Sequence, residues 1–196
     1  MKLSKHIMMQ KFNYASEEMS HDQQSLLFDL EQLLDSLKVM TIATPLENSV
    51  WSAPVYYLYK NRAFWFFSSP DSRHITGAKP SPNFTISPKN TDSPEIMVAA
   101  SIFMDNHDFN KIKGIQMRGK IEQIVRMENM VEALAYIRKF GIPFKESKGS
   151  DSSTETIDPL TFIQKHYRAK FYRFIPTEMI YMDNSIYIGF KQKIKL

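Results

Sequence analysis

Short β-prone runs separated by turn-forming residues recur along most of this 196-residue chain, and their spacing limits the fold more than any other feature. The runs are rich in β-branched and aromatic residues, and several connections between them are only a few residues long. Strands joined by such short connections pair antiparallel. The eight predicted strands are residues 39–44, 50–60, 63–68, 83–88, 95–103, 112–125, 169–183 and 186–196. This pattern predicts a mainly β fold, an antiparallel β-barrel with peripheral helices.

Two longer helices interrupt the strand pattern. Leucines at three- and four-residue spacing predict the first one after Ser20: Leu26, Leu27, Leu30, Leu33, Leu34 and Leu37. The second has an apolar face between Met127 and Ile137. Residues 1–20 are polar and methionine-rich, which indicates an extension, so the barrel domain is predicted at residues 21–196. Within it, residues 145–159 contain almost nothing that enters a core, which predicts a mobile loop.

Turn signals and glycines set the finer boundaries. Residues 45–49, Asn61–Arg62 and Asn184–Ser185 predict turns between strands. Gly114 and Gly119 lie inside the sixth predicted strand. A glycine in such a place indicates a bulge or the close approach of another backbone.

The composition argues against several classes of function. The chain has no cysteine, so it has no disulfide, thiolate metal site or cysteine nucleophile. Its five histidines show no metal-ligand spacing, and no metal site is predicted. No apolar run approaches the roughly 20 residues that span a bilayer, and no signal peptide is evident, so a cytoplasmic protein without membrane association is expected. The net charge of +4 is spread along the chain, which argues against nucleic acid as a partner.

The stretch "SSPDSRHITG", which follows the aromatic run of residues 63–67, is the main candidate for a binding site. Its hydroxyls, one arginine and one histidine stand at the end of a strand, where Pro70 and Asp71 start a turn. A short helix after that turn would present unpaired amides, and Arg73 is a bidentate donor. Such groups suit a phosphate monoester. On local chemistry alone, a capped surface turn with an exposed arginine is the more economical interpretation.

The order of the elements resembles the pyridoxamine 5′-phosphate oxidase-like, FMN-binding split-barrel superfamily. A helix, the strand "TIAT", the strand "PVYYLY", an aromatic strand and an S-x-x-x-S-R-H run follow one another. The resemblance covers residues 24–196 apart from the polar loop, and the ending "YRFIPTEMIYMDNSIYIGFKQKI" is similar to the YhbP-like branch. It implies an antiparallel split β-barrel of the FMN-binding type, with FMN as cofactor.

The resemblance also implies which residues bind the cofactor. The phosphate ligands would be Ser68, Ser72, Arg73 and His74, with Ser69 beside them. The backbone of the second strand would run along the flavin ring at Ser52, Ala53, Pro54 and Val55. A later strand would reach the flavin, often from the partner subunit of a homodimer, with Gln116 and Arg118.

Departures from the family pattern narrow the implied activity. Ala53 stands near the place of the oxidase's phosphate-binding arginine, and His74 replaces a lysine. The oxidase's C-terminal Arg-x-His-Asp-Arg substrate motif is absent. A true pyridoxamine phosphate oxidase is therefore not expected. The implied function is that of a flavin-dependent oxidoreductase acting on an unidentified small molecule.

Two other functions stay open on the same fold. One is a non-enzymatic module that binds haem or flavin, for which His166 beside the polar loop is the candidate iron ligand. The other is a structural dimer whose site has decayed. The roles of Trp51, Tyr56 and Tyr57 are open in the same way, since these rings would either stack beside a flavin or pack in the core.

Overall fold

The computed structural model of the protein describes residues 23–46, 49–79, 96–125, 129–144 and 158–196. The predicted extension at 1–20, the predicted strand at 83–88 and all but the last two residues of the loop at 145–159 lie outside this range. The chain divides into two compact units, Met1–Gln32 and Leu33–Leu196. In the first unit the described residues are helical and belong to α1 (Gln23–Ser36), which ends in the second unit.

The described residues of the second unit form one antiparallel sheet with few helices. The strands are β1 (Val39–Leu46), β2 (Ser49–Tyr56), β3 (Leu58–Lys60), β4 (Ala63–Ser68), β5 (Val98–Met104), β6 (Lys113–Ile124), β7 (Lys170–Asp183) and β8 (Lys191–Ile194). Their order is β2-β1-β5-β6-β7-β4-β3, with β8 paired to β7. The helices are α2 (Arg73–Thr76), a 3-10 turn at Phe109–Lys111, α3 (Met130–Lys139) and α4 (Pro159–Tyr167). The prediction of a mainly β, antiparallel fold is confirmed.

Aromatic side chains fill the inner face of the sheet. Four fully buried rings are neighbours across β4 and β7: Phe64, Phe66, Tyr172 and Phe174. The other face of β4 is covered as well, because Phe67 packs edge-on against Tyr136 of α3 with ring centroids 5.1 Å apart. Since both faces of β4 are covered, its sequence is continuously apolar instead of alternating.

The single strand predicted at residues 50–60 is two strands. β2 pairs with β1, whereas β3 pairs with β4. Tyr57 lies between them and is fully buried. Its amide donates to the carbonyl of Lys38 (2.9 Å), and its hydroxyl donates to the carbonyl of Leu34 (2.9 Å). The chain changes partner here because Tyr57 is bonded to the segment before β1.

The predicted turn at Asn61 and Arg62 is confirmed. Their φ angles of 53° and 57° are both left-handed, as in a type I′ hairpin turn. The predicted turn at residues 45–49 is too long, because the β1–β2 ladder continues into it with Pro45 opposite Val50. β1 pairs with β5 only as far as Ala43. Beyond that residue no described strand pairs with this side of β1, and a strand edge of that kind tolerates proline.

Helix α4 begins at Pro159, inside the predicted polar loop, so that loop prediction runs one residue too far. Asp158 caps the helix, since its carboxylate accepts hydrogen bonds from the amides of Leu160 (2.9 Å) and Thr161 (3.0 Å). An aspartate at the cap followed by proline in the first turn is a strong helix start signal. The signal was therefore present in the sequence.

The strand predicted at residues 186–196 is wrong over its first half. β8 covers four residues, and a loop precedes it. The side-chain oxygen of Asn184 accepts from the amide of Gly189 (3.1 Å) and closes this loop. Gly189 has a φ of 85°, which strand residues do not adopt, so the strand begins only after it.

The predicted irregularity at Gly119 is confirmed. The pairing of β6 with β7 shifts register between Arg118 and Gly119. A Cβ at Gly119 would overlap the carbonyl group of Ile175 and come within 2.8 Å of the Cα of Pro176. Glycine therefore lets the two backbones approach at the bulge.

Asp183 ends β7 as a buried carboxylate with several partners. Lys113 Nζ lies 2.8 Å from Oδ2, the Tyr181 hydroxyl donates to the same oxygen (2.8 Å), and the Ser185 amide donates to Oδ1 (2.8 Å). Burial alone would raise the pKa of Asp183, but the bonds from Lys113, Ser185 and Tyr181 outweigh it and hold that pKa below its ordinary value. The carboxylate thereby ties β6 to β7 and to the loop that follows.

We expect Asp183 to make the protein sensitive to acid. Because folding lowers its pKa, its contribution to the free energy of unfolding is complete above the unfolded pKa of about 3.9 and is lost as the pH falls through the lower folded pKa. Urea unfolding between about pH 5 and about pH 3 should show a steeper loss of stability in the wild type than in Asp183→Asn. Parallel pH curves for the two proteins would contradict this role.

Candidate functional site

The serine-rich stretch joins β4 to α2 through a tight turn. The amide of Ser72 donates to the carbonyl of Ser69 (3.2 Å), and the amide of Asp71 donates to Ser69 Oγ (3.3 Å). Pro70 and Asp71 occupy the middle of the turn, as these residue types favour. Helix α2 packs against β1 and β2, and β2 also contacts β4. The serine turn, residues 68–74, therefore lies where the two ends of the sheet meet.

Three polar side chains of the serine turn converge on one point. Ser68 Oγ lies 3.0 Å from Ser72 Oγ and 2.9 Å from His74 Nε2, and Ser72 Oγ lies 3.4 Å from the same ring nitrogen. Ser72 also donates to the carbonyl of Ser69 (2.8 Å). One arrangement satisfies all the groups: His74 Nε2–H donates to Ser68, Ser68 donates to Ser72, and Ser72 donates to Ser69.

The capped-turn interpretation does not describe Ser72. This residue precedes α2 in an extended conformation, but its side chain makes no capping bond to the helix amides. The hydroxyl faces Ser68 and His74 instead. Sequence reasoning grouped the right residues here because they are close along the chain, but it could not show which way their side chains point.

His74 is a buried histidine within this cluster. It is 9% exposed, and burial lowers its pKa because a charged ring loses hydration there. At neutral pH the ring is therefore uncharged and carries one N–H donor. His74 supplies a hydrogen bond to the serine turn, whereas a lysine at this position would supply a charge.

Arg73 lies over the ring of Trp51. The centre of its guanidinium is 4.5 Å from the ring centroid, a cation–π contact that links the serine turn to β2. Stacking holds the planar guanidinium while its edge stays able to donate two parallel hydrogen bonds. Trp51 thus positions the arginine, a role that its place in the sequence did not indicate.

Lys170 is a cation of this region that sequence reasoning missed. It is the first residue of β7 and lies directly opposite Ser68 of β4. Directly opposite residues share a face of the sheet, with Cβ atoms about 5 Å apart. Ala53 carries no charge on β2, and Lys170 offers a positive charge from β7. The two residues are about 100 positions apart in sequence, so only the strand register reveals the pairing.

The residues of β2 that were predicted to run along the flavin do not share a face. Ala53 and Val55 lie opposite Ile42 and Met40 of β1, which are buried on the inner face. Pro54 is exposed on the other face, because side chains alternate along a strand. Within the described residues, β2 pairs only with β1.

Gln116 and Arg118 lie on the same open face as Pro54 but three strands away. The register places Pro54, Thr41, Ser101 and Gln116 in one row across β2, β1, β5 and β6. Three strand spacings amount to about 14 Å. Arg118 faces Glu178, with 3.6 Å between the charged atoms. A single chain therefore does not bring Gln116 next to the strand predicted to carry the flavin.

Comparison with known proteins gives matches of structure only. No family model and no curated protein matches the sequence. A provisionally assigned pyridoxamine 5′-phosphate oxidase from Listeria innocua aligns at a TM-score of 0.53 and 9% identity, over 81% of this chain and 98% of the other. An FAD-binding protein from Mesorhizobium loti aligns at 0.50 and 12%, over 78% and 89%. A haem-binding protein from Mycobacterium smegmatis aligns at 0.53 and 12%, over 82% of this chain and 54% of the other.

These structures share one architecture with the present chain. The chain has the split β-barrel fold that these structures share. The predicted fold class, an antiparallel split β-barrel, is thereby confirmed. Because the sequence identities are only 9–12%, the similarity concerns the fold alone. In this split barrel β2 contacts β4, and the serine turn connects β4 to the helix α2, which packs against β2.

The split barrel uses two of the three candidate stacking residues within its own structure. Tyr57 is in the core, and Trp51 lies under Arg73. Tyr56 is 58% exposed, and its ring centroid is 5.3 Å from that of Phe140. Tyr56 is the most exposed of the three rings, and Trp51 is 38% exposed beside Arg73.

His166, the candidate iron ligand, is exposed on α4. Its ring lies against Phe162, with centroids 4.5 Å apart. In the described parts of the chain, no three His, Cys, Asp or Glu side chains are grouped closely enough to hold a metal ion. The helices of those same parts include none that is long and apolar enough to span a membrane.

Proposed function

We propose that the protein binds FMN and that the serine turn holds its phosphate. The observation that carries this proposal is the cluster of Ser68, Ser72 and His74, whose polar atoms lie within 3.4 Å of one another. A phosphate monoester carries roughly two negative charges at pH 7 and offers several acceptor oxygens. Two hydroxyls, an imidazole N–H and a guanidinium are donors of the kind that such a group needs. The two hydroxyls, which without a ligand donate to each other and to the Ser69 carbonyl, would rotate to donate to the phosphate. The side chains present therefore fit the phosphate.

The charge of the site also favours an anion. Two residues next to the hydroxyl cluster are basic, since Arg73 lies between Ser72 and His74 in the chain and Lys170 is paired with Ser68, while the exposed Asp71 supplies one opposing charge. His74 would act as a neutral donor. Ser69 would contribute its hydroxyl from the first position of the turn. The guanidinium is the strongest of these donors, because it can make two charge-assisted hydrogen bonds at once.

We infer further that the protein is a homodimer with the flavin at the subunit interface. Ala53, Pro54 and Val55 would line the flavin ring along the edge of β2 that pairs with none of the described strands. Because Gln116 and Arg118 lie across the open face of the same chain, they would reach that flavin from the partner subunit. Small side chains in the centre of this face permit close approach of a second copy: Thr41, Ala43, Ala99 and Ser101. The oligomeric state, measured by light scattering, tests this arrangement.

The activity we propose is that of a flavin-dependent oxidoreductase acting on a small molecule, within the YhbP-like branch of the superfamily. When bound, FMN supplies hydride and electron transfer. The chain's residues would bind the phosphate, orient the ring and exclude water. Pyridoxamine 5′-phosphate is not the proposed substrate, because the C-terminal substrate motif of the oxidase is missing.

The visible absorption spectrum of the purified protein, before and after addition of FMN, tests the proposal. Flavin bands that co-elute with the protein, or saturable quenching of added FMN, are expected. A colourless protein that leaves FMN fluorescence unchanged would overturn it and point to a dimer whose site has decayed.

Haem is the second candidate ligand, since a haem-binding protein shares the fold. His166 is exposed on α4 and would be the axial ligand. A Soret band on addition of haemin that disappears in His166→Ala would support this function. Flavin bands with no Soret response would exclude it.

A further inference from the structure

Two buried hydroxyls lack a hydrogen-bond partner among the described residues, those of Thr44 and Tyr172. Both residues are at most 1% exposed. A buried hydroxyl without a partner is unfavourable, and phenylalanine or valine would fill the same volume without that cost. Each hydroxyl therefore needs a reason for its presence, and both lie close to the serine turn.

Thr44 lies beside the C-terminal end of α2, which does not suit an anion. A Cβ placed on Gly77, the residue after α2, would be 3.0 Å from Thr44 Oγ1 and 3.0 Å from the carbonyl oxygen of Arg73. The surroundings of the Thr44 hydroxyl are thus the carbonyl end of the short helix. Carbonyl oxygens repel an anion, so Thr44 is not a candidate ligand.

Tyr172 lies at the opposite end, beside Ser68. It is paired with Phe66 across β4 and β7, and the two rings stack with centroids 5.7 Å apart. Ser68 and Lys170 are the next pair on the same face. Diagonal neighbours of this kind lie within reach of an aromatic side chain.

The phenol of Tyr172 is a permanent donor. Its pKa is raised, first by burial and then by the negative charge of Asp71 in the serine turn. The register of β4 and β7 places Tyr172 one pair away from Ser68 and Lys170 on the same face. A neutral phenol can donate one hydrogen bond, and phosphate oxygens are acceptors for it.

We propose that Tyr172 is a specificity-determining residue that donates a hydrogen bond to the phosphate of the bound monoester. This inference rests on the proposed function and extends it. The phosphate would be held from the serine turn by Ser68, Ser72 and Arg73 and from β7 by Lys170 and Tyr172. Tyr172 would thus favour a phosphorylated flavin over one that lacks the phosphate.

The test compares Tyr172→Phe with wild-type protein, using FMN and riboflavin as probes. The substitution keeps the ring and its stacking on Phe66 and removes only the hydroxyl. The Kd for FMN should rise about tenfold, because one hydrogen bond to a charged group is lost. The Kd for riboflavin should stay the same. The melting temperature of the free protein should not fall, since no intramolecular bond is removed.

Thr44→Val is the matched control, because it removes the other unpartnered buried hydroxyl at nearly constant volume. It should leave the Kd for FMN unchanged. Equal FMN affinity in wild type and Tyr172→Phe would overturn this inference and leave the proposed function intact. A parallel loss for FMN and riboflavin would also overturn it, because Tyr172 would then not act on the phosphate. Failure of the wild type to bind FMN at all would overturn both.

Discussion

Replacing Arg73 by alanine should raise the Kd for FMN by about 10-fold to 100-fold. The guanidinium is the strongest donor of the serine turn, and hydrogen bonds between charged groups are worth about 1.5–3 kcal/mol each. Its stacking on Trp51 holds the guanidinium in place before any ligand arrives. Fluorescence titration with FMN measures the effect. Riboflavin, which has no phosphate, should bind wild type and Arg73→Ala equally.

Lys111→Ala is the control for the loss of one positive charge. Lys111 lies in the 3-10 turn before β6, next to the Asp183 end of β7, whereas Ser68 pairs with the Lys170 end. Its removal should leave the Kd for FMN within about twofold of wild type, because exposed charges at that distance are screened by salt. An unchanged FMN affinity in Arg73→Ala would remove this residue from the phosphate site.

Gly119→Ala should lower the free energy of unfolding by about 3 kcal/mol, which is the largest stability effect we expect from a single methyl group in this protein. The added Cβ would overlap the Ile175 carbonyl, and backbone atoms cannot yield as a flexible side chain would. The β6–β7 pairing would have to separate at its bulge. Urea denaturation followed by tryptophan fluorescence measures the change.

Gly114→Ala provides the matched comparison in the same strand. Its Cβ would lie 3.2 Å from the carbonyl oxygen of Ile102, a contact that a small adjustment can relieve. We expect a change within about 1 kcal/mol. If both variants lost stability equally, the close approach at Gly119 would not be the cause.

The sheet could largely be predicted from sequence because its strands carry local signals. Three of its features have signals that are local in the sequence: the aromatic run of β4, the turn at Asn61 and Arg62, and the glycine at the bulge, Gly119. One error, the start of α4, passed over a local signal at Asp158 and Pro159, whereas another arose where tertiary contacts override the local pattern. Tyr57 divides one β-prone run into two strands because its amide and hydroxyl are bonded to Lys38 and Leu34, and no property of the run itself reveals this.

The candidate site likewise contains some residues that could be grouped from the sequence and others that could not. Ser68, Ser72 and His74 could be grouped from sequence, since a turn and a short helix bring residues six positions apart together. Lys170 and Tyr172 could not, because their position beside Ser68 depends on the register between β4 and β7. The cation–π contact of Arg73 with Trp51 likewise depends on how α2 packs on β2.

The affinity of wild-type protein for FMN relative to riboflavin is the most direct test of a phosphate site at the serine turn. Both flavins carry the same ring, so the ratio of their Kd values isolates the phosphate. With several donors converging on it, FMN should bind at least about 100-fold more tightly. Equal affinities for the two flavins would contradict the account, because the serine turn would then make no contribution to binding.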